Sequence, residues 1–159
     1  MFDSETAVSI LAIQQLVAEW GYDLDVNDCA GVAQLCTAQC DYFVGGTNHK
    51  GRDRIDAFYA ARNERVRTQQ KDGIRTQRHT ISNFRTAFAG KDAAKVEFLL
   101  VNYSGEGKPP ILHTAPTIIA ECTFQVVRED DGEWRIALFD STPLFVGNDP
   151  FLNAAVVKK

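Results

Sequence analysis

At Arg75 the patterning of the chain changes character. Upstream of it, apolar residues recur at helical spacing; downstream, four apolar runs alternate with clusters of turn-forming residues. The runs span 78–88, 94–103, 111–128 and 134–146. They are separated by Ala89-Gly90-Lys91-Asp92, by Gly105-Glu106-Gly107-Lys108-Pro109-Pro110 and by Glu129-Asp130-Asp131-Gly132. Such runs joined by Gly- and Pro-rich turns read as consecutive hairpins. An antiparallel sheet built this way has an apolar face to cover, and the helical first half is the available cover. The expectation is an α+β domain, with three N-terminal helices packed on one face of an antiparallel sheet.

The helices have explicit signals. Ile10, Ile13, Val17, Trp20 and Leu24 form one apolar stripe, with Asp3 or Ser4 as cap and Glu5 in the first turn. Asn27-Asp28 breaks the chain, and Cys29, Val32, Leu35 and Cys36 suggest a second, shorter helix. Asp41-Tyr42-Phe43-Val44 reads as a strand stopped by Gly45-Gly46, and a third helix after Gly51 carries Ile55, Phe58, Tyr59 and Val66. At 159 residues the chain is one domain, with a core at about 5–146 and a tail at 147–159 that includes Phe151 and Leu152.

Composition narrows the function classes. Apolar residues make up 45%, charged residues 24%, and the net charge is −4, which excludes wholesale disorder and argues against a nucleic-acid partner. No run approaches the ~18 apolar residues of a membrane span, and no basic-then-apolar leader is visible, so a cytoplasmic protein is expected. Cys29, Cys36, Cys40 and Cys122 lack the spacing of a zinc site and read as buried thiols. Charge is uneven: nine basic and four acidic residues lie between Lys50 and Arg78. A solvated helix face is the favoured reading of that stretch, and a positive rim drawing an anionic or phenolate ligand is the sharper one.

Candidates for proton chemistry are few. Of the three histidines, His49 sits in a loop-like Gly-Gly-Thr-Asn-His-Lys-Gly run, and His79 opens a strand whose alternate residues Ile81, Asn83 and Arg85 share its face. His79 and Asn83 can converge on a ligand, or satisfy backbone groups inside the sheet. Asp25, just past the first helix's apolar stripe, can fix an imidazole tautomer or cap the next helix. Tyr42 can offer a hydroxyl to a pocket or serve as amphipathic core. No nucleophile elbow, phosphate loop or dinucleotide fingerprint is present.

The order Trp20-Gly-Tyr-Asp-Leu-Asp25, Asp41-Tyr-Phe, Gly51-Arg-Asp-Arg-Ile55, Arg78-His-Thr-Ile-Ser-Asn83 and Arg128-Glu-Asp-Asp-Gly-Glu-Trp-Arg-Ile136 resembles the SnoaL-like proteins of the NTF2-like superfamily. That resemblance implies a cone-shaped barrel, a strongly curved sheet around three helices, with an apolar pocket at one end. It also implies a homo-oligomer (dimer or trimer) and cofactor-independent acid–base chemistry on a small hydrophobic molecule. The chain is similar to the scytalone dehydratases as well: their buried aspartate falls on Asp25, their strand tyrosine on Tyr42 and their first histidine on His79. Their second tyrosine falls on Leu24, and their second histidine near Ala120 or Glu121 instead of His113, so that specific activity is not assigned. Ketosteroid isomerase and polyketide cyclase patterns need a carboxylate base, for which Glu121 or Asp140 are the available residues without a matching motif.

The resulting expectation is a lyase or dehydratase acting on an aromatic or polyketide-like molecule. His79 moves the proton, Asp25 orients it, and Tyr42 and Asn83 hold a substrate oxygen. Trp20, Tyr22, Phe58, His113, Glu121 and Asp140 complete the binding candidates, with Phe84 and Phe139 as further apolar walls. The alternative is a non-catalytic binding or assembly domain, as in the dioxygenase small subunits of the same superfamily. A cavity beside a hydrogen-bonded His79 and Asp25 separates the two.

Overall fold

The computed structural model describes residues 3–112 and 115–157. Helix α1 (Ser4–Val26) starts where Asp3 accepts a hydrogen bond from the Thr6 amide, and its stripe Ile13, Leu16, Val17, Trp20 and Leu24 is buried. Strands β1 (Cys36–Val44) and β2 (Thr47–Asn48) follow, then α2 (Arg52–Gln69). The sheet continues through β3 (Arg75–Phe88), β4 (Ala93–Glu106), β5 (Ile118–Arg128) and β6 (Trp134–Val146), and α3 (Pro150–Val156) closes the described chain.

The six strands form one sheet in the order β2-β1-β6-β5-β4-β3. All neighbours are antiparallel except β1 and β6, which run parallel, so the sheet is mixed. Its curvature can be read from one side chain. In a flat sheet β1 and β3 would lie about 19 Å apart, four strand spacings. Yet Trp20 on α1 hydrogen-bonds Tyr42 of β1, and its ring lies 6.4 Å from that of His79 on β3. The same indole lies 6.2 Å from Phe98, 5.2 Å from Phe124 and 5.2 Å from Phe139, which belong to β4, β5 and β6. Only a sheet curled around α1 brings all five strands to one residue. Gly21 permits the close approach, since a Cβ there would stand 3.1 Å from Ile81 Cδ1.

Three sequence expectations change in detail. The predicted second helix is a single 3₁₀ turn (Val32–Leu35): Asp28 and Cys29 adopt positive φ, and Cys36 is captured by β6 opposite Ile136. Cys36 and Cys40 therefore share the buried face of a strand instead of a helix turn. The third α-helix is C-terminal, where Asp149 accepts from the Leu152 amide and Pro150 opens the first turn. Strand β5 begins at Ile118, not 111, because Pro109, Pro110 and Pro116 offer no ladder donors. His113 lies outside the described residues.

Candidate active site

Strand β3 turns Arg75, Gln77 and His79 toward the interior, and all three line a cavity of about 140 Å³ beneath α3. The volume matches a single aromatic ring, since a cavity of about 150 Å³ admits benzene. Trp20, Leu24, Phe58, Tyr59, Leu100 and Phe139 make its walls mostly apolar, and Phe151 and Leu152 of α3 lie over it.

His79 is held by three hydrogen bonds. Asp25, on the last turn of α1, meets His79 Nδ1 at 2.6 Å with one carboxylate oxygen and accepts the His79 amide at 2.7 Å with the other. On the opposite side the Asn102 amide stands 2.9 Å from His79 Nε2, from the directly paired position on β4. Thr117 Oγ1 donates to Asn102 Oδ1 at 2.5 Å, which leaves the Asn102 nitrogen facing the imidazole. A carboxylate only accepts, so Nδ1 carries the ring hydrogen and Nε2 presents its lone pair. The two side chains of the pair are only 12% and 8% exposed, so water competes little for these bonds.

The polar chain continues away from the ring. Thr117 Oγ1 lies 3.1 Å from Ser104 Oγ, which accepts from Arg75 at 2.6 Å, and Arg75 pairs with Asp149, the cap of α3. His79 is thereby linked through the sheet interior to the helix that covers the cavity.

A second buried cluster lies on the other wall. Trp20 Nε1 donates to Tyr42 Oη at 2.9 Å, and Tyr42 Oη lies 2.6 Å from Tyr59 Oη. With Tyr42 donating onward to Tyr59, the Trp20 and Tyr42 hydrogens are satisfied and the Tyr59 hydroxyl proton is left to the cavity. Burial raises both phenols well above their ordinary range, so both are neutral donors.

The candidates thus separate by location. His79, Trp20 and Phe58 stand on the cavity wall, Asp25 directly behind His79, and Tyr42 one hydrogen bond behind Tyr59. Tyr22 points outward, 61% exposed. Asn83 does not share His79's face: it takes a positive φ at a bulge between Ser82 and Arg85, which turns it outward and sends Phe84 into the core. Together with Glu121 and Asp140, Asn83 borders a separate polar recess shared with Arg85 and Glu97. His49 is half-buried, its ring 4.3 Å from that of Phe58, and burial lowers its pKa, so it is neutral. Among the described residues no group of three or more His, Cys, Asp or Glu is placed to hold a metal ion. No helix among them is long and apolar enough to cross a membrane.

Sequence reasoning missed Asn102, Thr117, Gln77, Tyr59 and Arg62 as site residues. The alternation of Asn102 with apolar Leu100 and Phe98 on one strand face was the available signal, since a buried amide needs partners.

The sequence matches the SnoaL-like domain family over residues 5–140, most of its length. The chain belongs to the SnoaL-like family. Solved structures share its fold. A scytalone dehydratase-like protein from Novosphingobium aromaticivorans DSM 12444 superposes with a TM-score of 0.71 at 19% identity, over 89% of this chain and 87% of that one. ActVI-ORFA from Streptomyces coelicolor gives 0.74 at 14% identity, over 89% and 98%. LinA gives 0.71 at 17% identity, over 91% and 92%. Sequence comparison with curated proteins finds no match. In this SnoaL-like domain the pocket, the curled sheet and α1 form one unit, with the His79–Asp25 pair at their junction.

Proposed function

We propose that this SnoaL-like protein is a lyase that removes water from a small cyclic, aromatic or polyketide-like substrate by acid–base catalysis at His79. The observation that supports the reading is a buried, tautomer-fixed imidazole on the wall of a ring-sized apolar cavity. His79 Nε2 takes a proton from the carbon next to a carbonyl. The C–H electron pair becomes the new double bond, and the C–O pair leaves with the hydroxyl. That hydroxyl recovers the proton from the imidazolium and departs as water. Asp25 holds Nδ1–H throughout and stabilises the transient cation. Tyr59, supported by Tyr42, donates to the substrate carbonyl as charge develops there.

Asn102 has a defined part in this cycle. It occupies Nε2 in the resting protein, so the substrate proton arrives as the Asn102 N–H leaves. Once protonated, Nε2 becomes a donor and calls for Oδ1 of the same amide. The Thr117 hydroxyl permits that turn, because the Asn102 backbone carbonyl lies 3.0 Å away as an alternative acceptor. Phe145, 67% exposed at the end of β6 beside Leu144 and Val146, supports a homo-oligomer as part of the same proposal.

The test is a panel of monocyclic β-hydroxy ketones, with water loss followed by absorbance and mass. His79→Gln lowers the rate by about 10²–10⁴-fold, the contribution of a positioned acid–base group, with circular dichroism unchanged. Retention of activity within tenfold contradicts the assignment.

A further inference from the structure

We infer that the substrate of this cavity carries a carboxylate, bound by Arg62 and Arg65 about one ring's length from His79; the inference deepens the lyase reading and rests on it for the reacting end. Both arginines line the cavity, one helical turn apart on the same face of α2. Their hydrogen bonds go to neutral groups only. Arg62 donates to Asn63 Oδ1 at 3.0 Å and Gln77 Oε1 at 3.0 Å, both neutral acceptors. Arg65 donates to the Phe151 carbonyl at 3.1 Å and stacks on its ring at 4.5 Å. Among the described residues no carboxylate forms an ion pair with either, whereas the neighbouring Arg75 is neutralised by Asp149 and the exposed Arg67 by Glu64. Two half-buried cations beside an apolar cavity thus lack only an anion, and a guanidinium's planar donor fork fits a carboxylate.

Strand geometry sets the distance to the chemistry. Gln77 and His79 are neighbours on the inner face of β3, about 7 Å apart. Gln77 is fixed at both ends of its amide, accepting from Arg62 and donating to the Leu24 carbonyl. Arg62 is therefore anchored beside the residue next to His79, and its field reaches Tyr59 and Cys29, which also face the cavity. A ring lying against Trp20 and Phe58 reaches His79 Nε2 with one edge and the arginines with a carboxylate on the other. The basic stretch between Lys50 and Arg78 is thus only partly a solvated face.

Calorimetry with benzoate and its neutral isostere benzamide tests this on the whole protein. The wild type binds benzoate at least tenfold more tightly than benzamide, as expected for hydrogen bonds to a charged group. Arg62→Gln and Arg65→Gln each reduce the preference to threefold or less, while Arg67→Gln keeps it. Equal or tighter binding of benzamide, absence of benzoate binding at millimolar concentration, or a preference that survives in the double variant overturns the inference. His79→Gln retains the preference. A benzoate preference without any elimination activity refutes the lyase reading alone; elimination activity without the preference refutes the carboxylate site alone.

Discussion

Replacing Tyr42 by Phe removes one oxygen from the interior and nothing else, which makes its cost calculable. Tyr42 is fully buried, and its hydroxyl accepts from Trp20 Nε1 at 2.9 Å and meets Tyr59 Oη at 2.6 Å. A typical buried hydrogen bond contributes about 1 kcal/mol, and a buried donor left without a partner costs about 1–3 kcal/mol. The indole N–H of Trp20, 2% exposed, is left in that state, so the total loss is about 2–4 kcal/mol. With a urea slope of roughly 2 kcal/mol per molar, the unfolding midpoint falls by about 1–2 M. Tyr59→Phe is the comparison: it leaves the Trp20–Tyr42 bond intact but takes the acceptor from the Tyr42 hydroxyl, so it costs about 1–3 kcal/mol and less than Tyr42→Phe, which breaks two bonds. Urea unfolding followed by circular dichroism measures both. A Tyr42→Phe midpoint within 0.3 M of wild type (about half a kcal/mol), or a larger loss for Tyr59→Phe, refutes the view that Tyr42 props the wall and acts only through Tyr59.

Three further outcomes follow from the same structure. Burial pushes the Cys29 and Cys122 thiols up to about 12, and all four cysteines are free and buried, so none reacts with a disulfide reagent at pH 8 until denaturant is added; rapid native labelling contradicts this. Hydrogen bonds from Arg135, then the Glu133 amide, hold the exposed Asp131 carboxyl down to about 2. Its support of the β5–β6 hairpin is therefore complete above the ordinary carboxylate range and lost as pH falls toward 2. Nuclear magnetic resonance titration places its midpoint near that value and shows it rising in Arg135→Gln; a wild-type midpoint near 3.8 contradicts the assignment. Asn83→Val forces a β-branched residue into positive φ and costs about 1–2 kcal/mol, whereas Asn83→Gly is tolerated, as thermal unfolding would show; equal stability of the two variants argues against the bulge.

Where side chains announce their environment, the sequence was readable. The apolar stripe of α1 and the alternation in β4 and β6 gave those elements within a few residues, and in β5 the C-terminal end, because burial of one face dictates the period. His79 and Asp25 stood out by residue type and position relative to Leu24. Strand β3 was harder: its inner face begins with Arg75, Gln77 and His79, polar groups satisfied by partners distant in sequence, so its first turn carried no apolar signal. Asn83 misled for a related reason. Strict alternation assigns it to His79's face, but a bulge adds one residue and reverses every face beyond it. The site's remaining members, Asn102, Thr117 and Arg62, became visible only when cross-strand pairing and the α2 contact brought them to one place.

His79 presents a bare Nε2, its tautomer fixed by Asp25 on one side and Asn102 on the other. Nitrogen-15 resonance of the imidazole in the folded wild-type protein at neutral pH measures this directly. The expected spectrum shows a hydrogen-bearing Nδ1 and a pyridine-like Nε2, with that preference lost in Asp25→Asn. A hydrogen on Nε2, with Nδ1 bare, would contradict both the tautomer and the base assigned to it.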